Sequence, residues 1–163
     1  MTEASAEFVA LAREFCNWCE GAKSSDAEVL RQEAIRFLAR LYAGVLALPV
    51  VERNDFPGGP EISEEAWQLV YRSFGALPLN YYHSAVNPSI EAEAVMGTGD
   101  AADDLADTYR EIKTGVLLME NGLLDDGIWH WRWTFRVHWG EHALDALRAL
   151  HVHTTFGSGR GAL

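Results

Sequence analysis

The sequence feature that most constrains the fold is the segment 125–155, which holds four of the six tryptophans and five of the six histidines. Residues 128–152 contain no proline and a single glycine, Gly140, so the backbone can continue as one helix. Asp125 and Asp126 precede this run, and acidic side chains stabilise the free N–H groups at a helix start. We therefore predict one long C-terminal helix.

Two stripes of side chains recur at helical spacing along this predicted helix. The first stripe is apolar apart from one glycine and is interpreted as the core face; it consists of Trp129, Trp133, Val137, Gly140, Leu144 and Leu147. The second stripe begins aromatic and ends polar; it consists of Trp131, Phe135, His138, His142 and Asp145. Two interpretations of its histidines stay open: residues at the edge of the core, or part of a site for a small ligand or metal ion.

Apolar periodicity in the rest of the chain predicts four further helices, near residues 5–20, 25–48, 63–74 and 100–122. Ser25, Ser63 and Asp100 are suitable capping residues at three of the starts. The segments 49–62 and 75–99 are rich in proline and glycine and are predicted to be loops without strands. The short turn before the last helix predicts that the fourth and fifth helices are antiparallel neighbours. The expected fold is an all-α, single-domain bundle of about five helices over residues 1–156, with a flexible tail at 157–163.

The net charge of −11 on 163 residues narrows the classes of partner. Binding to nucleic acid or to an anionic membrane needs a basic surface, so we predict neither. No apolar run approaches the roughly 20 residues that span a bilayer, and the N-terminus lacks the pattern of a signal peptide, which together predict a cytoplasmic protein. No cofactor is predicted. The charge favours a non-enzymatic module that binds a basic protein, and exposed aromatic residues of the last helix make a homodimer plausible.

The alternative to a protein-binding module is a ligand or metal site between the last two helices. Four acids, Asp100, Asp104, Asp107 and Glu111, recur at helical spacing on the fourth helix. If this stripe faces the histidines, carboxylate and imidazole groups meet between neighbouring helices, as they do in metal-binding bundles. The predicted ligand-binding residues are Asp104, Asp107, Glu111, Trp131, Arg132, Phe135, His138 and His142. A competing interpretation is a clamp in which Arg132 and Arg136 bind Asp104 and Asp107 through paired hydrogen bonds.

Two short motifs are weaker indications of function. Residues 138–142 match the H-x-x-E-H pattern of inverted zinc peptidases, but Asp145 is the sole carboxylate that follows within the same helix. Cys16 and Cys19 form a C-x-x-C pattern late in a helix, whereas a redox pair needs a strand and a helix start before it. We interpret the cysteines as structural thiols.

The run from Asp103 to Lys113, together with the tryptophans of 129–133 and the segment from His138 to His151, resembles a family of bacterial domains of unknown function, the one numbered 5063. The resemblance extends over most of the chain. It implies a small, all-α, cytoplasmic bacterial protein and transfers no activity to any residue.

Overall fold

Helices form most of this structure, a computed structural model that describes residues 1–52, 59–85, 87, 89–91 and 93–156, the side chains of 154–156 excepted. The elements are α1 (Glu3–Glu20), α2 (Ala27–Leu46), α3 (Glu64–Ser73), β1 (Tyr81–Ala85), β2 (Met96–Asp100), α4 (Ala101–Glu120), α5 (Leu124–Val137) and α6 (Trp139–Phe156). The predicted helical class is confirmed, with six helices in the described residues where about five were expected. The predicted tail at 157–163 and residues 53–58 of the first loop lie outside the described residues. None of the described helices combines the length and apolarity needed to cross a membrane.

Side-chain caps begin several of these helices where the sequence predicts them. The Ser63 hydroxyl accepts a hydrogen bond from the Ala66 N–H, and the Asp100 carboxylate accepts one from the Ala102 N–H. The cap of α2 is Asp26 rather than Ser25, because a carboxylate oxygen of Asp26 accepts from two backbone N–H groups in the first turn. Each such cap stabilises its helix by about 1 kcal/mol.

The helix α4 lies at the centre of the fold and contacts α1, α3, α5 and α6. Its apolar stripe of Leu105, Tyr109, Ile112 and Val116 is buried, and Met119, the last residue at this spacing, is partly buried against the core. After α4 the chain turns at Gly122, whose φ of 81° is readily accessible to glycine. The helix α5 then runs back along α4, so the two helices are neighbours, as the short turn predicts.

The prediction of a single long C-terminal helix is wrong, because the chain breaks between α5 and α6. His138 has φ −151° and ψ −91°, which is outside the helical range. At this break the end of α5 lies against the start of α6, and a Cβ atom on Gly140 would stand 2.2 Å from the Phe135 carbonyl oxygen. A glycine is therefore required where the two helices meet.

The assignment of the two stripes is also wrong, since the core face of α5 and α6 carries Trp131 and Trp139, both fully buried. Each buried indole N–H has a partner: Trp131 donates to the Ile112 carbonyl at 2.9 Å and Trp139 donates to the Trp131 carbonyl at 3.1 Å. The stripe expected to be core is largely at the surface, where Trp133 is 48% and Val137 58% exposed. Gly115 of α4 leaves room for the Trp131 ring, because a Cβ atom on Gly115 would lie 2.1 Å from the indole nitrogen of Trp131.

A two-stranded hairpin lies in the segment that was predicted to be free of strands. The strands β1 and β2 are antiparallel, with Tyr82 opposite Gly99. The tyrosine ring covers the glycine so closely that a Cβ atom there would lie 2.3 Å from it. Because β2 continues directly into α4, the hairpin places Tyr82 beside the first turns of that helix.

Candidate functional site

The acidic stripe of α4 faces polar donors of other elements. All four carboxylates contact an N–H or O–H group that belongs to α3, to β1 or to the junction of α5 and α6. The pairs are Asp100 with Tyr71 (3.0 Å), Asp104 with Tyr82, Asp107 with Trp67 (2.8 Å) and Glu111 with His138 (2.9 Å). The stripe is therefore part of the packing between elements.

Two histidines converge on one of these acids, Asp107. Oδ2 of Asp107 lies 3.7 Å from Nε2 of His142 and 3.8 Å from Nε2 of His138. The two imidazole rings meet edge to face, with centroids 4.9 Å apart. The break between α5 and α6 is what sets this geometry, because His138 ends the first helix and His142 lies in the first turn of the second.

The other ring nitrogen of each histidine binds a different carboxylate. Nδ1 of His142 lies 2.7 Å from Oδ1 of Asp104, and Nδ1 of His138 lies 2.9 Å from Oε1 of Glu111. An ionised carboxylate only accepts hydrogen bonds, so Nδ1 carries the hydrogen in both pairs. In the neutral imidazoles the lone pair then lies on Nε2, on the side of Asp107.

The second oxygen of Asp107 also has a hydrogen-bond donor. Its Oδ1 atom accepts a hydrogen bond of 2.8 Å from the indole N–H of Trp67. The guanidinium of Arg110 is 3.8 Å from the same oxygen and stands over the Trp67 ring. As a result Oδ2 is the oxygen that faces the histidines.

Burial and hydrogen bonding shift the pKa values of the pair His142 and Asp104 upward. The hydrogen bond to Asp104 raises the pKa of His142, and the charges of Asp104, Asp107 and Asp103 raise it further. Burial raises the pKa of Asp104, while its hydrogen bonds to His142 and Tyr82 act in the opposite direction. Burial and the neighbouring carboxylates likewise raise the pKa of Asp103. The site thus has an excess of acidic groups, which stabilises an added positive charge.

Glu111 shows the opposite behaviour because it contacts two imidazoles. Burial alone would raise its pKa, but contacts with His130 and His138 outweigh burial and hold the pKa at about 2. Nε2 of His130 lies 3.0 Å from Oε2 of Glu111. Glu111 therefore stays ionised and fixes the ring of His138.

The three converging side chains are accessible from solvent. The exposed fraction is 36% for His138, 28% for His142 and 16% for Asp107. An ion bound to them would keep coordination positions open to water or to a small ligand, which is typical of reactive metal sites and not of closed structural ones.

Three of the predicted site residues lie elsewhere. Trp131 is in the core, and Phe135 packs against Tyr42 and Trp139. The predicted arginine clamp is wrong, because Arg132 donates to the backbone carbonyl of Leu48 and the side chain of Arg136 is exposed. The acids expected to bind these arginines contact Trp67, Tyr82 and His142.

Four residues of the site were not predicted from the sequence: Trp67, Tyr82, Asp103 and His130. Trp67 lies in the predicted helix near residues 63–74, and Tyr82 lies in the segment 75–99 that was predicted to be a loop. His130 precedes His138 by eight residues, and this helical spacing is the one sequence signal that relates it to the site. The H-x-x-E-H pattern gives the histidine pair correctly, but its Glu141 is exposed and forms no part of the cluster. Cys16 and Cys19 are buried free thiols outside this site.

Comparison with known proteins gives a family and a fold. A family model described as a domain of unknown function, DUF5063, matches residues 1–155. The crystal structure of protein BF1032 from Bacteroides fragilis is similar, with a TM-score of 0.78 over 99% of this chain and 97% of that chain. The two sequences are 23% identical, so this likeness is one of fold alone. Among curated proteins, none matches the sequence significantly. The resemblance of residues 103–151 is thereby confirmed, and the chain belongs to the DUF5063 family.

Proposed function

We propose that the protein binds a divalent transition-metal ion through Nε2 of His138, Nε2 of His142 and a carboxylate oxygen of Asp107. The ligand atoms of these three side chains lie within 4.8 Å of one another. Two atoms at about 2.1 Å from a shared ion are roughly 3.4 Å apart at a tetrahedral angle. The observed separations of 3.7 and 3.8 Å need only a small contraction.

The main support for the proposal is that each ligand side chain is held by a hydrogen bond at its other polar atom, the one that would not bind the ion. Asp104 holds His142, Glu111 holds His138, and Trp67 holds Asp107. Histidines that bind metals usually donate their other N–H to a carboxylate or carbonyl, which fixes the tautomer and makes the ring a stronger ligand. In a cluster that only stabilises the fold, nothing requires Nε2 of both histidines and Oδ2 of Asp107 to face the same point.

The ligand set indicates which ions suit the site. Two imidazoles and one carboxylate, without sulfur, favour Zn²⁺ or Fe²⁺ over Mg²⁺ or Ca²⁺, which prefer oxygen. Three protein ligands leave at least one position for water, whose pKa falls to about 7 on zinc. A metal-activated water at a solvent-exposed site is suited to hydrolysis of a small substrate.

Calorimetric titration of Zn²⁺ into untagged, chelator-treated protein tests the proposal. We expect a single saturating ion per chain. In Asp107→Asn, the amide oxygen can still accept from Trp67 while the charge is lost, so the affinity should fall by more than about tenfold with the fold retained. His142→Ala should abolish binding.

His153→Ala is the matched control, because His153 also lies on α6 but about three turns beyond His142. Its affinity for Zn²⁺ should equal that of the unmodified protein. Equal binding by the Asp107→Asn, His142→Ala and His153→Ala variants would show that the ion sits elsewhere on the surface, and the proposal would fail.

Binding of a basic protein partner stays a prediction from net charge, and homodimerisation stays a prediction from the aromatic residues of the C-terminal segment. Four acids of the α4 stripe already have donors within the fold, which lessens the acidic surface available to such a partner. Homodimerisation has one supporting feature, the exposed Trp133 and Val137 on α5. Light scattering on the unmodified protein and on Trp133→Arg, over a range of protein concentrations, would distinguish a dimer from a monomer.

A further inference from the structure

A cavity whose lining differs in chemistry from the acidic cluster lies between the hairpin and the C-terminal half of α6. Its volume is about 430 Å³, which is within the range of small-molecule sites. The apolar part of the described lining consists of Leu79, Ala149, Val152 and the ring of Tyr82. These groups would receive the apolar portion of a ligand.

The polar part of the lining is basic. It consists of His83, Arg148 and His153, and no acidic residue is among the described lining residues. This composition is unusual for a chain in which 24 acids outnumber 13 lysines and arginines. Because no acid is among the described lining residues, Arg148 makes the potential inside this cavity less negative than we expect over the rest of so acidic a protein, and this favours an anion.

The side chain of Arg148 has unused hydrogen-bonding capacity. Within the part of the chain that the structure describes, its guanidinium forms no hydrogen bond or ion pair, and the same holds for the imidazole of His83. Glu28 is close enough to His153 for their charges to interact, but its carboxylate already pairs with Arg31 at 2.6 Å. The exposed fork of Arg148 is thus available for a planar anion.

From this combination we infer that the cavity binds a small carboxylic acid with an apolar body. The carboxylate accepts two hydrogen bonds from the Arg148 guanidinium, a geometry that arginine provides and lysine does not. The apolar body lies on Leu79, Ala149 and Val152. His83 and His153, which also line the cavity, add further N–H donors.

This site is independent of the proposed metal centre. Tyr82 separates the two: its ring lines the cavity, and its hydroxyl binds Asp104 on the far side. A carboxylic acid in the cavity would contact neither Asp107 nor the two histidines that converge on it. Failure of metal binding would therefore leave the inference intact.

Titration with sodium octanoate, followed by NMR, tests the inference at concentrations below micelle formation. We expect saturable shifts confined to residues around the cavity. Two matched compounds separate the contributions: 1-octanol lacks the charge and sodium acetate lacks the apolar body. Both should bind at least about tenfold more weakly than octanoate.

Arg148→Gln should weaken octanoate binding by about tenfold. Arg13→Gln, which removes another exposed arginine from α1, should leave it unchanged. Equal affinities for octanoate and octanol, equal affinities of the two variants, or shifts that never saturate would overturn the inference. Binding to phosphatidylglycerol vesicles without saturable octanoate binding would also overturn it, since the basic rim would then be a lipid contact.

Discussion

Nδ1 of His142 on α6 lies 2.7 Å from Oδ1 of Asp104 on α4, and the side chain of that aspartate is only 7% exposed. The second oxygen of Asp104 accepts a hydrogen bond from the hydroxyl of Tyr82. The orientation of a solvent-accessible imidazole is therefore fixed by a buried carboxylate, which is fixed in turn by the hairpin. This relationship connects α6, α4 and the hairpin through one buried carboxylate.

Replacing Tyr82 with phenylalanine removes one donor from the buried Asp104. We expect the free energy of unfolding to fall by about 1–3 kcal/mol, because a buried carboxylate loses a hydrogen bond. Zn²⁺ affinity should fall by about tenfold, since the support of His142 weakens. Urea unfolding and calorimetry measure the two effects. Tyr81→Phe is the control, because Tyr81 is 67% exposed, and it should change neither quantity.

The two tryptophans Trp131 and Trp133 should differ sharply in their effect on stability. Trp131→Ala leaves a large core cavity and should cost about 3–5 kcal/mol of unfolding free energy. Trp133 is 48% exposed and stacks on Trp129, so Trp133→Ala should cost no more than about 1.5 kcal/mol. Chemical denaturation of both variants measures the difference. Equal losses would contradict the assignment of the core face.

Gly115 should not tolerate a methyl group. A Cβ atom there would lie 2.1 Å from the fully buried Trp131 indole, which cannot move without repacking the core. Gly115→Ala should therefore destabilise the protein by about 1–3 kcal/mol. In Gly59→Ala the nearest atom is 3.5 Å away, so that variant should be neutral or slightly stabilising. Thermal unfolding of both variants measures the difference.

The buried thiols should make stability depend on pH in the alkaline range. Burial raises the pKa of Cys16 from 9.0 to about 12 and raises that of Cys19 well above its ordinary value. The folded protein keeps these protons where the unfolded chain has lost them. The contribution of Cys16 is therefore complete below about pH 9 and falls between about pH 9 and 12, by roughly 1.4 kcal/mol per pH unit. Burial of Cys19 acts in the same direction, so its thiol adds to the loss as the pH rises.

Urea midpoints across that pH range measure the loss, with Cys16→Ala/Cys19→Ala as the reference. The double variant should show a shallower dependence on pH than the unmodified protein. Identical slopes would mean that the thiols ionise as readily in the fold as outside it. The thiols of the native protein should also be unreactive toward a thiol reagent at pH 8.

Local sequence signals were enough to predict most helices of the fold. The caps at Ser63 and Asp100 and the core residues of α4 follow from patterns within a few residues. The break at His138 does not, because it depends on the contact of Gly140 with the Phe135 carbonyl. The choice of Trp131 over Trp133 as the core residue depends on Gly115, which is distant in sequence. Both faces of α5 are aromatic, so hydrophobicity alone could not distinguish them.

Part of the candidate site could also be predicted from the sequence. Spacing placed the acids of α4 on one face and His138 and His142 on another, and the structure brings these two faces together. The residues that orient them were missed because Trp67 and Tyr82 come from α3 and β1, and nothing in their local sequence indicates a polar contact. The clamp of Arg132 and Arg136 with the two aspartates was a hypothesis from charge and helix position, whereas the fold places Arg132 beside the carbonyl of Leu48.

Anomalous diffraction from crystals grown with Zn²⁺, recorded on both sides of the zinc absorption edge, tests the central claim most directly. The proposed centre predicts one strong peak between the helices, within about 2.1 Å of Nε2 of His138, Nε2 of His142 and an oxygen of Asp107. A map without a peak at these three atoms, from crystals in which zinc is bound elsewhere or not at all, would contradict it.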